Sequence, residues 1–196
     1  MSYYIFIDKT HTDTNGRWCL EQVRFTLGIF NRNTRNQSYA WRSLGYIADQ
    51  ANINALNSVQ KSLNYHHMIE VILEDFKECQ QYKFQWELEF DNVCFETQLV
   101  IPVMFIIGDT DGHDKLAGRY TSRNNVSRLC RYCNCPFAET DNPDFEYVYT
   151  QHNHMFKTIN SASPSELQSL SVHKVNNAWN LFCDQKLGAL CADILH

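Results

Sequence analysis

The stretch "VMFIIGDTDGHDKLAGRY", residues 103 to 120, joins a strand pattern to a group of carboxylates. Five apolar residues in succession, from Val103 to Ile107, predict a buried strand. Gly108 then lets the backbone turn without strain, and Asp109 follows at once. A carboxylate placed there lies at the rim of the sheet, which is where open α/β sheets bind ligands. The alternative is that Asp109 begins a turn or caps the next helix.

A second apolar run near the N-terminus has the same design. The residues "YYIFID", 3 to 8, are aromatic and β-branched and predict a buried strand that ends in Asp8. Two carboxylates held together repel each other and attract Mg²⁺ or Mn²⁺, which prefer oxygen ligands and support two-metal phosphoryl transfer. Asp111 and Asp114 are expected to cap, to support the ligands or to stay solvated, and Asp111 is the alternative ligand if Asp109 points away.

The remaining chain predicts strands followed by helices, more strands and a helical tail. Apolar residues at helical spacing, without Gly or Pro, favour one or two amphipathic helices in the middle of the chain. The order predicts the α/β class, with a mixed sheet that is partly antiparallel at its start. The expected elements are strands within 18–30 and 40–48 around a polar loop, helices within 52–82, two strands within 84–109 separated near Glu96–Gln98, and a helix within 163–182 capped by Ser163 or Ser165.

Composition and charge limit the classes of protein to consider. The chain has 196 residues, of which 44% are hydrophobic, and this suits one globular domain with a sizeable core. Its formal net charge of −5 argues against a self-sufficient nucleic-acid binder, unless basic parts lie outside this chain. The sequence has no signal peptide and no apolar run of membrane-spanning length, so we expect an intracellular, reducing location away from membranes.

Three cysteines and two histidines have the spacing of metal ligands. Cys130 and Cys133 are separated by two residues, Cys135 follows, and His152 and His154 come later. Thiolates at this spacing share a tetrahedral Zn²⁺, so the pattern predicts a structural zinc site whose fourth ligand stays open. The alternative is reduced thiols beside a solvated histidine pair. A thioredoxin-like redox role is less favoured, because the cysteines lie in a loop between elements.

Other polar residues have two open interpretations each. Asp193 lies in "ALCADILH", a stretch that we interpret as a helix start, and taken alone it caps that helix or stays solvated. The histidines at 66, 67 and 173 are expected at the surface or satisfied in the core. A modest basic run beside Asp109 either contacts phosphate or forms a solvated loop, and it comprises Arg119, Arg123, Arg128 and Arg131.

Long parts of the sequence resemble a known family. The segments "FIDKTHTDTNGRWCLEQVRFTLGIFNRNTRNQSYAWRSLGYI", "FIIGDTDGHDKLAGRYTSRNNVSRLCRYC", "NNAW" and "ADILH" are similar to the catalytic region of eukaryotic DDE-type transposases, closest to the Plavaka and Kyakuja–Dileera–Zisupton groups. The resemblance covers nearly the whole chain. It implies a ribonuclease H-like fold in which Asp8, Asp109 and Asp193 are the three acids that hold Mg²⁺ or Mn²⁺, and in which 128–155 is a Cys/His insertion.

The resemblance also implies an activity and its partners. The expected reaction is metal-dependent DNA strand cleavage and transfer in the nucleus, with transposon ends and target DNA as partners and an oligomer as the full-length form. On this interpretation residues 1–196 form one catalytic core, truncated at both ends. Two alternatives stay open: a catalytically inactive, domesticated or relic module derived from a transposase, and a ribonuclease H-like nuclease that cuts RNA or hybrids.

Overall fold

The structure is a computed structural model that describes residues 3–12, 14, 19–50, 53–82, 84–99, 103–121, 126–128, 130, 133–148 and 159–175. Its strands are β1 Tyr3–His11, β2 Cys19–Leu27, β3 Arg42–Ala48, β4 Phe84–Phe90, β5 Val93–Leu99 and β6 Val103–Ile107. Its helices are α1 Arg32–Arg35, α2 Ser58–Ile72, α3 Glu74–Tyr82, α4 Thr110–Leu116 and α5 Pro164–Leu170, with 3₁₀ turns at Ser38–Ala40 and Phe137–Glu139.

The described residues fall into two compact units. The first lies within Met1–Asp49 and Met68–Gly108, and it contains the sheet strands, the end of α2 and all of α3. The second lies within Gln50–His67 and Asp109–Leu187, and it contains the start of α2 together with α4 and α5.

A mixed sheet organises the first unit. Among the described residues it has four strands in the order β3-β2-β1-β6. The pairs β1–β2 and β2–β3 are antiparallel, whereas β1 and β6 are parallel, with Phe6 opposite Ile107. The predicted class is therefore confirmed: the protein is α/β, with a mixed sheet that is flanked by helices and antiparallel at its start.

The first face of this sheet carries the core of the unit. Ile5, Ile7 and Val23 are buried because alternate residues of adjacent strands point to the same side. Helix α3 covers this side through Phe76, whose ring centroid lies 4.8 Å from that of Tyr3 in an edge-to-face contact. Burial of these apolar and aromatic side chains is the main stabilising contribution to the unit.

The described residues cover only part of the second face. The ring of Phe6 meets Trp41, and Thr26 donates a hydrogen bond of 2.7 Å to the carbonyl of Ala40. The polar loop expected between β2 and β3 is therefore partly helical. The reason is local: the Asn31 side chain accepts the backbone N–H of Thr34 and so caps α1.

The contact between Gly45 of β3 and Ile72 of α2 gives a first prediction. A Cβ added to Gly45 would meet the Cγ1 of Ile72 at 2.9 Å and its Cδ1 at 3.1 Å, so the whole side chain must move. We expect Gly45→Ala to lower the free energy of unfolding by about 1–3 kcal/mol, although alanine is normally better than glycine in a strand. Urea unfolding measures this, and the same change in an Ile72→Ala background should cost much less. Equal costs in both backgrounds would contradict the contact.

The two strands expected within 84–109 are in fact three. The predicted break near Glu96–Gln98 is wrong, because β5 continues through that stretch and the chain turns earlier. Asp91 and Asn92 have φ angles of 51° and 62°, and two successive positive φ values form the type I′ turn of a tight hairpin. Strands β4 and β5 consequently pair with each other.

The second unit includes a well-capped helix, α5. Ser163 is its N-cap, and the side chain of Glu166 accepts the Ser163 backbone N–H at 2.7 Å, which completes a capping box. The same contacts lower the pKa of Glu166. The helix ends earlier than expected, at Leu170, because Ser171 adopts a left-handed conformation with φ 58°. The part of the expected helix beyond residue 175 lies outside the described residues.

Candidate functional site

Asp8 lies near the carboxyl end of β1, on the second face of the sheet. Its side chain is exposed, in contrast to Ile7 before it, which is buried. The next residue, Lys9, points to the other face and forms an ion pair of 3.0 Å with Asp49, which raises the pKa of Lys9. The predicted strand end at Asp8 is wrong, because pairing with β2 continues β1 as far as His11. Asp8 therefore presents its carboxylate to solvent from within the strand, while Lys9 is held by its ion pair on the other face.

A polar row continues from Asp8 across the sheet. Gln22 is the cross-strand neighbour of Asp8, and Tyr46 is the neighbour of Gln22 on β3. The amide Nε2 of Gln22 donates to the Tyr46 hydroxyl at 3.1 Å and to Ser43 Oγ at 3.4 Å. The Tyr46 side chain remains 57% exposed, so the row offers hydrogen-bonding groups to a ligand near Asp8.

Asp109 is the N-cap of α4. Its Oδ1 accepts the backbone N–H of Gly112 at 2.6 Å, and the residue is exposed. This is the capping role that the sequence left open as an alternative to a ligand role. A cap and a metal ligand are compatible in a carboxylate, because one oxygen can accept the N–H while lone pairs of the group remain available.

The pairing of β1 with β6 relates Asp8 and Asp109 along the chain. Phe6 and Ile107 are paired in the parallel ladder, and each is followed two residues later by an aspartate, Asp8 or Asp109. The parallel ladder itself ends at this pair. Asp193, the expected third acid, lies outside the described residues.

The cysteines of the expected zinc site lie in an irregular segment. Cys133 is buried, whereas Cys130 and Cys135 are partly exposed. Burial raises the pKa of the Cys133 thiol, a hydrogen bond with the Cys130 side chain raises it further, and a backbone contact of Cys135 opposes both. His152 and His154 lie outside the described residues, and within the described ones no group of three or more His, Cys, Asp or Glu is placed to hold a metal ion.

Arg119 has a role that the sequence did not reveal. Its side chain is 6% exposed, so it belongs neither to a solvated loop nor to a phosphate-binding surface. One guanidinium nitrogen donates to the carbonyl of Cys130 at 2.7 Å, another donates to the carbonyl of Arg128, and Nε lies 3.6 Å from Asp114 Oδ1. Arg119 thus ties the cysteine segment to the end of α4.

Ser171 supports the same segment from the other side. Its buried hydroxyl accepts the backbone N–H groups of Ser127 at 2.7 Å and Arg128 at 3.1 Å. The backbone of Arg119 forms an antiparallel bridge with Val172. One sequence signal for this arrangement is the glycine before Arg119. Gly118 has a φ of 68°, a conformation that favours glycine, and the chain turns back there after α4.

Two histidines of the second unit are buried or partly buried. His66 in α2 is 3% exposed, and His173 lies beyond α5 with its ring 4.5 Å from that of Tyr120. The pKa of His66 is lowered to about 4, chiefly by burial and secondly by the nearby His173, and a backbone contact of Lys115 opposes both. Burial also lowers the pKa of His173. The core role that was one expectation for His66 is confirmed.

The lowered pKa of His66 predicts that stability depends on pH. The unfolded chain protonates His66 below its ordinary pKa of 6.5, while the folded chain does so only below about 4. The contribution of neutral His66 to the free energy of unfolding is therefore fully present above pH 6.5 and is lost as the pH falls from 6.5 toward 4. The loss is about 2 kcal/mol by pH 5 and about 3 kcal/mol in all. Urea unfolding at pH 7 and pH 5 measures this loss. The loss of unfolding free energy between pH 7 and pH 5 should be smaller in His66→Gln and unchanged in the control His67→Gln. An unchanged loss in His66→Gln would contradict the conclusion that His66 causes it.

Comparison with protein-family models finds none that matches the chain, and comparison with curated proteins finds no match either. In the described part of the chain, none of the helices combines the length and hydrophobicity needed to cross a bilayer.

Proposed function

We propose that this chain is the catalytic core of a DDE-type DNA transposase, which cleaves and transfers DNA strands by metal-dependent phosphoryl transfer. The observation that carries the proposal is the parallel pairing of β1 with β6, in which Phe6 stands opposite Ile107. Each partner is followed after two residues by a carboxylate, Asp8 within β1 and Asp109 after β6. The pattern seen in the sequence therefore applies to two strands that are neighbours in the same sheet.

The fold we propose for the first unit is ribonuclease H-like. The strand order β3-β2-β1-β6, three antiparallel strands followed by a parallel one, supports it. Helices α2 and α3, which connect β3 to the later strands, support it too. On this proposal β4 and β5 are an inserted hairpin, and 128–155 is the Cys/His insertion.

Asp8, Asp109 and Asp193 are the residues that we propose to hold Mg²⁺ or Mn²⁺. Carboxylate oxygens fit these ions, and Asp8 presents an exposed carboxylate from within β1, two residues beyond the end of its ladder with β6. When bound, such ions supply activation of the attacking oxygen and stabilisation of the leaving oxygen. The protein's own contribution is to hold one carboxylate on β1 and another at the start of α4, so that little reorganisation is needed.

A second candidate is a module that keeps the fold without the activity. One observation favours it: Asp109 already has a structural role as the cap of α4. Titration with Mn²⁺, followed by the spin-resonance signal of the free ion, separates the two. The core proposal requires binding that Asp8→Asn weakens and that Asp75→Asn, an exposed change at the start of α3, leaves unchanged. Equal binding by both variants would favour the inactive module.

We also propose that Cys130, Cys133 and Cys135, with His152 and His154, supply the ligands of a structural Zn²⁺. The contact between the Cys130 and Cys133 side chains and the tether of their segment to Arg119 support this. The prediction is that protein purified under reducing conditions contains close to one equivalent of zinc by elemental analysis. Cys133→Ser should lose it and Cys94→Ser, an exposed cysteine of β5, should keep it. Wild-type protein without zinc would refute the proposal.

A further inference from the structure

Arginines lie on the partly open second face of the sheet. Arg24 of β2 is exposed and is the cross-strand neighbour of Phe6, so it points to the same face. Arg35 of α1 stacks over the ring of Tyr4, another residue of that face, at 4.9 Å from the ring centroid. Arg32 begins the same helix one turn earlier and is exposed. These three residues are called the arginine strip here.

The arginine strip is locally basic within an acidic chain. Residues 19–48 contain four arginines and a single acidic residue, Glu21, while the whole chain has a net charge of −5. Glu21 does not offset the strip, because it is 5% exposed and pairs in register with Lys9, on the other face. Within the described part of the chain, no carboxylate forms an ion pair with the arginine strip.

Asp8 and exposed tyrosine side chains lie near the arginine strip. Asp8 is two residues beyond Phe6 on β1, and therefore points to the same side as Arg24. Tyr46, held by Gln22, is exposed there, and Tyr39 is 65% exposed in the turn after α1. Arginine with exposed aromatic rings is the combination that tracks a phosphate backbone and stacks on bases.

We propose that the arginine strip binds the phosphates of a DNA strand and leads that strand across the face of the sheet toward Asp8. The inference rests on the proposed function for the identity of the strand and for its destination. It goes beyond that function in assigning substrate contacts to Arg24, Arg32 and Arg35. Arginine suits this role because its guanidinium forms two parallel hydrogen bonds with one phosphate.

Fluorescence anisotropy with a labelled, random-sequence DNA duplex tests the proposal on the whole chain. EDTA is present throughout, so binding is measured without metal and without cleavage. Arg24→Gln and Arg32→Gln, both at exposed positions, should each weaken binding about tenfold. Each should also reduce the slope of log affinity against log salt by about 0.9. The control Lys174→Gln, an exposed change in the other unit, should alter the affinity less than twofold, and thermal melting verifies that all variants fold.

The outcomes separate this inference from the proposed function. Wild-type protein that binds DNA through the arginine strip but never cleaves it would leave the inference standing and remove the catalytic proposal. Asp8→Asn should still bind DNA in EDTA, because it removes a negative charge from the same face. Three results would each overturn the inference: unchanged affinity and salt slope when Arg24→Gln and Arg32→Gln are combined in one protein, no DNA binding by the wild type, or tighter binding of an RNA duplex of the same sequence.

Discussion

Asp8→Asn is expected to abolish Mg²⁺-dependent nicking of supercoiled DNA, with a loss of about a thousandfold or more in rate. On the proposed function Asp8 holds the metal ions, so its loss removes several kcal/mol of transition-state stabilisation, and about 1.4 kcal/mol corresponds to a factor of ten. Because Asp8 is exposed, the same change should alter the free energy of unfolding by less than about 0.5 kcal/mol. Conversion of supercoiled to nicked plasmid on a gel measures the rate.

Asp109 allows a sharper version of the same experiment. Asparagine caps helices as well as aspartate does, so Asp109→Asn should keep the hydrogen bond from Gly112 and the stability while losing the nicking. Asp109→Ala should lose both, with a cost of about 1 kcal/mol in unfolding free energy. Asp111→Asn removes one negative charge from the first turn of the same helix. It is the matched control, and it should keep the nicking activity.

Two results would contradict the catalytic assignment of Asp109. One is full nicking activity in Asp109→Asn, which would leave capping as its whole role. The other is equal loss of activity in Asp111→Asn, which would point to the charge near the start of α4 or to Asp111 itself as the ligand.

Arg119→Met should produce the largest loss of stability, about 3–5 kcal/mol. The change leaves the Asp114 carboxylate without its buried cation and removes the donors to the carbonyls of Cys130 and Arg128. The free energy of unfolding of Arg119→Lys should lie between that of Arg119→Met and that of the wild type. Lysine keeps the positive charge but lacks the planar guanidinium that donates to both carbonyls. Urea unfolding measures the stability, with Lys174→Gln as the exposed control.

Thiol reactivity distinguishes a local role of Arg119 from a general one. Since Arg119 holds the segment that carries Cys130 and Cys133, its loss should make these thiols react faster with a disulfide reagent under conditions in which the sheet stays folded. The exposed Cys94 of β5 provides an internal reference. A loss of less than about 1 kcal/mol, or unchanged thiol reactivity, would contradict a tethering role.

The sequence correctly predicts the elements in which the spacing of apolar residues distinguishes a strand from a helix. The apolar run that begins β1 predicts burial along one side, as Ile5 and Ile7 show. The helical spacing of apolar residues predicts α2 and α3, although Val59 and Leu63 of that pattern are exposed in α2. Strand β3 was also expected near its observed position. Its partner could not be predicted, because strand pairing depends on contacts between residues far apart in the chain.

The features that the sequence does not predict depend on backbone conformation or on distant partners. The turn at Asp91 and Asn92 needs two positive φ angles, which Asp-Asn signals more weakly than Asn-Gly does. The sequence does not distinguish Arg119 from the surface arginines near it. Its acceptors are backbone carbonyls, which every residue has, so no side-chain pattern indicates them. The capping role of Asp109 was visible as an alternative, yet no pattern could choose between a cap and a ligand.

The pairing of β1 with β6 has a consequence for the order of folding. Strand β1 meets its antiparallel partner at Cys19–Leu27, but its parallel partner only at Val103–Ile107, after the helices and the hairpin. We expect the early meander of three strands to form quickly and the last strand to join slowly, since closing a long loop carries a larger entropy cost. During synthesis on the ribosome, one edge of β1 would keep unpaired backbone N–H and C=O groups until β6 has been made. Because such an edge can pair with another chain, a chaperone would be most useful to the nascent protein at this stage.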